Sequence, residues 1–322
     1  MSSLIEQAAL RLEQLRQAGV ELPETEPAPA PPAAPASAMR RAVAEPGPGA
    51  VLGVQPGLAD EGSMTSRRVE IDLASVGAAG IVTPNAPRTH LADQYRVLKR
   101  PLIANALGKG AASIMHGNLI MVTSALAGEG KTFTAVNLAM SIAAELDHTV
   151  MLVDADVARP SILRVLGLPP GPGLLDLLEG TADMASVLLK TNIDKLTILP
   201  SGTPHPRATE LLASESMKTL LDDMATRYAD RIIIFDSPPL LLTTESRVLA
   251  SHMGQVVMVV AAGRTLQANV QQALSTIENC PVKLMVLNKA RSDTQGAYGY
   301  GYGYGYGYGY SYGANDGSSR EA

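Results

Sequence analysis

The sequence predicts an α/β fold, a mostly parallel β-sheet with helices on both faces, flanked by a linker and a tail that lie outside it. Three observations predict it. Short, nearly continuous apolar runs recur, as in Leu119–Val122, Val150–Val153 and Arg231–Phe235, and such runs fit strands buried on both faces. Helical patterns alternate with these strands, and parallel strands need such crossovers. Two stretches fall outside the pattern: residues 21–57 are rich in Pro and Ala, and residues 298–312 alternate Tyr with Gly almost perfectly. Neither can bury enough surface to pack.

Residues 4–18 form an amphipathic helix with Ile5, Ala8, Leu12 and Leu15 on one face, within an N-terminal segment 1–20. A mostly disordered linker covers 21–88, with a short strand left open in RRVEIDL between 67 and 82. The folded domain spans 89–291. It opens with a helix over His90–Leu107, where Pro101 is expected to break or kink the chain. On that helix Asp93 and Arg96 stand i, i+3, and Lys99 continues the face. After the first strand come a helix at Lys131–Glu145 and a strand at Thr149–Val153. Helical stretches follow at Ser161–Leu166, Leu174–Glu179 and Met184–Leu189, then a strand at Lys195–Leu199. Helices at Arg207–Leu212 and Ser216–Tyr228 lead to strands at Arg231–Phe235 and Gln255–Ala261. Helix Leu266–Glu278 and strand Val282–Leu287 complete the domain. A disordered tail, 292–322, holds eight of the ten tyrosines: Tyr298, Tyr300, Tyr302, Tyr304, Tyr306, Tyr308, Tyr310 and Tyr312.

Composition sets limits. At 322 residues and 46% hydrophobic, the chain can build one large domain or two small ones. A net charge of −5 argues against a general nucleic-acid surface. No run of 18 apolar residues exists, so no transmembrane helix is expected, and the acidic N-terminus does not read as a signal peptide. The single Cys280 fits a reducing cytoplasm.

The first strand runs into Ala125-Leu-Ala-Gly-Glu-Gly-Lys-Thr132 and then a helix. Strand, small-residue loop and helix in that order are the context of a phosphate-binding P-loop. Backbone N–H groups of Ala127, Gly128, Glu129, Gly130, Lys131, Thr132 and Phe133 would converge on phosphate oxygens, helped by the helix N-terminus. Lys131 would reach the β- and γ-phosphates, and the Thr132 hydroxyl would ligate Mg²⁺. The first glycine of the motif is replaced by Ala125, which is small enough to keep the turn. Two further strands end on carboxylates: Asp154 and Asp156 after the second, Asp236 after RIIIF. In an open parallel sheet all three strand ends point at one rim. Carboxylates there would hold Mg²⁺ or take a proton from an attacking hydroxyl. The last strand ends Asn288-Lys289-Ala290-Arg291; guanine recognition would need Asp where Arg291 stands, so ATP is the expected nucleotide. Asn288 either touches adenine or caps a turn.

The combination ALAGEGKT, VMLVDADVARP and IIIFDSPP resembles the bacterial tyrosine kinases of polysaccharide export, the BY-kinases, over Asp93–Tyr312. Asp236-Ser237-Pro238-Pro239 is its most specific part, and Glu210-Leu211-Leu212 agrees more loosely. The opening helix, the Pro/Ala linker and D-A-D-V-A-R-P are similar to the autokinases of exosortase-type exopolysaccharide systems. Two departures stand out. The family's D-x-D-x-R-K-P has Ala158 at the Arg position with Arg159 following, and its E-x-x-R-x-x-R oligomerisation motif reads Asp93-x-x-Arg96-x-x-Lys99. The resemblance implies an ATP- and Mg²⁺-dependent protein-tyrosine kinase that phosphorylates its own tail. It makes Lys131, Asp154 and Asp156 the catalytic residues, Asp154 as base, with Thr132, Asp156 and Asp236 positioning Mg²⁺. It also implies a homo-oligomer with Asp93, Arg96 and Lys99 at the interface, and a membrane chain-length regulator of the Wzz-like kind that activates the kinase and holds it at the inner face of the plasma membrane. The competing reading is a MinD/ParA-like positioning ATPase. That class carries an extra lysine early in the loop, where this chain has Leu126.

Overall fold

The computed structural model describes residues 66–290, except 85, 86, 88 and 111. The expected N-terminal helix, most of the linker and the tyrosine tail lie outside the described residues. The described helices are α1 (Leu73–Ala78), α2 (His90–Ala106), α3 (Lys131–Ala143), α4 (Ile162–Val165), α5 (Leu174–Leu178), α6 (Met184–Val187), α7 (Ala208–Leu212), α8 (Glu215–Arg227), α9 (Glu245–Ser251) and α10 (Gln267–Ser275). The strands are β1 (Leu119–Ser124), β2 (Thr149–Asp154), β3 (Leu189–Lys190), β4 (Leu196–Leu199), β5 (Arg231–Asp236), β6 (Gln255–Ala261) and β7 (Val282–Asn288). They form one sheet in the order β3-β4-β2-β5-β1-β6-β7. All neighbours run parallel except β3 with β4.

The apolar runs pack as their period requires. Ile120, Val122, Val150, Leu152, Ile232 and Ile234 face one layer, against Leu102 of α2 and Leu138 and Ile142 of α3. The intervening Leu119, Met121, Met151, Val153, Ile233 and Phe235 face the other, against Leu221 and Met224 of α8 and Leu249 of α9. Burying each such side chain contributes about 1.5–3 kcal/mol. That sandwiching explains why these strands lack polar alternation. With β5 between β1 and β2, the carboxyl ends of the three motif-bearing strands are adjacent. Val122 pairs with Asp236, and Asp236 pairs with Asp154.

Four local readings differ from expectation. First, folded structure begins well before residue 89. Arg67 and Val69 bond the backbone of Lys190 (2.9 and 2.8 Å), Asp72 caps α1, and Ile71, Val76 and Ile81 are buried. Asn192 holds the Ile71 backbone through both its amide groups, each at 3.0 Å. These tether points are single residues in a small-residue stretch, so no period announces them. Second, Pro101 lies inside an unbroken α2. It costs the Val97 carbonyl its partner, but Val97 is exposed, so that carbonyl is open to solvent. Third, the run Met184–Leu189 splits: α6 ends at Val187 and Leu189 begins β3. Fourth, α9 was not anticipated in the stretch after Asp236. Among the described residues no helix is long and apolar enough to cross a membrane.

Candidate active site

The phosphate loop follows β1 as the motif requires. Gly128 (φ 80°) and Gly130 (φ 101°) adopt left-handed backbone conformations that other residues resist. A Cβ on Gly130 would also run into the Asn288 side chain. Ala125 is fully buried at the first motif position, so a small residue suffices there. Leu126 packs partly buried against the core.

Glu129 supplies more than its backbone. Its side chain is buried, accepting from Leu126 N (2.7 Å) and from the Thr265 hydroxyl beyond β6. Asn288 Nδ2 donates to Glu129 O at 2.9 Å, and Lys289 Nζ donates to Gly128 O at 2.6 Å. Of the two roles open for Asn288, loop support is the one its contacts serve, and its Oδ1 accepts from Lys289 N at 2.8 Å.

Lys131, at the start of α3, lies 2.6 Å from Asp156 Oδ2 and 3.6 Å from Asp236 Oδ1. Burial works against its charge, yet Asp236 and Asp156 outweigh that and raise its pKa. Thr132 Oγ1 and Ser161 Oγ are 3.2 Å apart. The Thr123 hydroxyl donates to Pro238 O at 2.8 Å, fastening β1 to the turn after β5. Asp154 Oδ2 accepts from Ser161 N and Ile162 N, each at 3.0 Å, which pins the turn carrying Asp156. Burial first, then the Asp236 charge, pushes Asp154 up to about 7. Asp236 is pushed up to about 6, chiefly by burial and partly offset by Lys131.

Both Asp236 oxygens and Asp154 Oδ1 are buried without a hydrogen-bond partner among the described residues. Unsatisfied carboxylate oxygens are costly to bury; a divalent cation is the partner that suits Asp236, and a proton suits Asp154. Beside the Thr132 hydroxyl and Asp156, the donor set fits Mg²⁺. A cleft of about 510 Å³ opens above, lined by Ala127, Gly128, Gly130, Lys131, Thr132, Phe133 and Asp156, with Arg159, Arg164, Pro238, Pro239 and Leu242 around them. Asp154, Asp236, Glu129 and Asn288 support this cleft without lining it. A second cleft of the same volume, beside α2, contains none of the three motifs.

The comparisons with known proteins bear on this geometry. A family profile described as an AAA domain matches residues 117–288. Tyrosine-protein kinase YwqD of Bacillus subtilis is 29% identical over 222 residues, covering 68% of this chain and 90% of the relative. Tyrosine-protein kinase CpsD of Streptococcus agalactiae is 32% identical over 190 residues, covering 57% of this chain and 81% of the relative. This chain belongs to the bacterial tyrosine-protein kinases. Two other relatives of that family are longer, and the chain spans 25% and 24% of their lengths. The solved kinase domain of VpsO superposes with a TM-score of 0.51 at 28% identity, covering 63% of this chain and all of that one.

Within this tyrosine-kinase domain the residues expected at an oligomer interface separate. Asp93 and Arg96 form an exposed pair at 2.5 Å. Lys99 does not share their face: it is buried, with its ammonium 2.7 Å from Glu145 and 2.5 Å from Ser141 O. Its reach inward docks α2 on α3, so the expectation of a continuous charged face is corrected for Lys99. The parts that sequence reasoning missed are the Glu129–Thr265 strut, the Lys289 contact and Ser161. Each is a polar residue in a loop, where no period marks it.

Proposed function

We propose that this kinase transfers the γ-phosphoryl group of ATP to tyrosines of its own tail, between subunits of a homo-oligomer, and that this cycle regulates exopolysaccharide chain length and export. The observation that carries the reading is the Lys131 ammonium set between Asp156 and Asp236 above a glycine-shaped phosphate loop. Lys131 would stabilise charge on the transferring group, and the loop N–H groups would fix the β- and γ-phosphates. Thr132, Asp156 and Asp236 would hold Mg²⁺, which neutralises phosphate charge when bound. The tyrosine oxygen attacks phosphorus, the bond to ADP breaks, and the phenol proton passes to Asp154. Burial and the Asp236 charge raise the Asp154 pKa, which makes it a better proton acceptor than an ordinary carboxylate, and its Oδ1 is the unengaged oxygen.

The tyrosines themselves support the choice of acceptor. Of the two outside the tail, Tyr95 is buried, and Tyr228 is half-buried beneath the Arg231 guanidinium, 4.9 Å from its ring centroid. A membrane chain-length regulator is the proposed activating partner, and association with it would bring the kinase to the inner face of the plasma membrane. The test is to incubate the full chain with labelled ATP and Mg²⁺ and map alkali-stable label. Phosphotyrosine confined to Tyr298–Tyr312 supports the reading. Release of free phosphate with unlabelled protein refutes it in favour of a positioning ATPase.

A further inference from the structure

The mouth of the nucleotide cleft carries two cations besides Lys131. Arg159 and Arg164 are both exposed, and both line the cleft with Lys131 and Asp156. Neither side chain has an ion-pair or hydrogen-bond partner among the described residues. The turn that presents Arg159 is held by its own backbone, since Arg159 N donates to Asp156 O (3.0 Å) and Oδ1 (3.2 Å). The deep cation, Lys131, is mostly buried and already faces the carboxylates at the floor. On the same cleft Leu242, 60% exposed, forms an apolar shelf with the buried Pro238 and Pro239 beside it.

An acceptor suited to this mouth has an aromatic ring for the shelf and an anion for the arginines. An unmodified Tyr-Gly repeat supplies only the ring. A repeat carrying one phosphotyrosine supplies both. An extended chain turns alternate residues to the same side, about 6.6–7 Å apart. The tail places tyrosines at that alternate spacing from Tyr298 to Tyr312.

We propose that Pro238, Pro239 and Leu242 seat the tyrosine to be modified while Arg159 and Arg164 bind the phosphate of a neighbouring tyrosine already modified on the same tail. Guanidinium pairs with phosphate through two parallel hydrogen bonds, which a neutral tail cannot offer. The first transfer on a tail is therefore the least favoured, and each phosphate recruits the next. This inference rests on the tail-kinase reading above and adds a substrate preference to it.

Two peptides spanning Ala297–Gly313 test it, one unmodified and one phosphorylated at Tyr304 alone. Their affinities for the full chain are measured with ADP and Mg²⁺ present, so that no transfer occurs. One charge-assisted pairing predicts about a tenfold preference for the phosphopeptide, shrinking as salt is raised. Arg159→Ala with Arg164→Ala should bring the ratio to about one, and the double lysine variant should restore part of it. Equal affinities in the wild type, or a preference that survives the double alanine variant, overturns the proposal. So does a double variant that loses ADP affinity while keeping the peptide ratio, which would assign the arginines to the nucleotide. A phosphopeptide preference in a chain that transfers no phosphate to tyrosine would sink the kinase reading and leave the subsite standing.

Discussion

Replacing Asp154 by Asn should stabilise the protein at alkaline pH while disabling it. Asp154 is 1% exposed and faces Asp236 across the β2–β5 pairing. Burial and that neighbouring charge raise its pKa from 3.8 to about 7. The folded state therefore binds a proton that the unfolded state has released between those two values, so stability falls as pH rises through that window. The gap corresponds to about 4 kcal/mol lost by pH 8. Asparagine keeps an oxygen for Ser161 N and Ile162 N but carries no charge, so it escapes that loss. Relaxation around the charged carboxylate absorbs part of that penalty in the wild type, leaving a gain of about 2 kcal/mol at pH 8. For a folded unit of this size that is a rise in Tm of about 4–8 °C. The assay is thermal unfolding of wild type and Asp154→Asn at pH 4 and pH 8, without nucleotide or Mg²⁺. The difference should be large at pH 8 and nearly vanish at pH 4. Equal stability at pH 8, or a variant less stable than wild type there, would refute the reasoning. The same variant should lose transfer to tyrosine more than nucleotide affinity, because a base acts on the acceptor; equal losses would remove the reason to call Asp154 a base.

Three further outcomes follow from the geometry. Lys131→Met should abolish tail labelling while the chain stays folded, and normal labelling of a folded variant would refute the site assignment. When that variant is mixed with an intact-site chain truncated after Ala297, its tail should acquire label, whereas an unlabelled tail would exclude transfer between subunits. Lys99→Met strands Glu145 and the Ser141 carbonyl, and should cost about 2–4 kcal/mol independently of protein concentration; a loss that grows on dilution would instead return Lys99 to a subunit interface.

Much of this was legible in the residues. β1, β2 and β5 were readable because each alternates between two buried layers, so the apolar run is unbroken, and β2 and β5 end abruptly on Asp154 and Asp236. The phosphate loop was readable because Gly128 and Gly130 answer to backbone demands that few residues meet. What escaped was held by single polar contacts. Asn192, in the loop after β3, holds Ile71, and Asn137, inside α3, accepts from Val82 N at 2.7 Å, yet a lone asparagine has no pattern in either place. Lys99 misled for the opposite reason, since its i, i+3 spacing from Arg96 suggested a shared face while its long stem turned inward to Ser141. Glu129 was counted for its backbone alone, because a carboxylate beside a phosphate loop gives no hint that it folds away toward Thr265.

The contacts of Asn288 and Lys289 with the loop carry a mechanical consequence. The chain leaves the sheet at the point where it grips the carbonyls of Gly128 and Glu129. Lys289 holds that grip in a left-handed backbone conformation, φ 58°, which a non-glycine residue adopts at some cost. Residues 290–297 separate it from Tyr298, a slack of at most about 28 Å when drawn out. Any pull transmitted through Lys289 would bear on the two carbonyls that shape the phosphate loop.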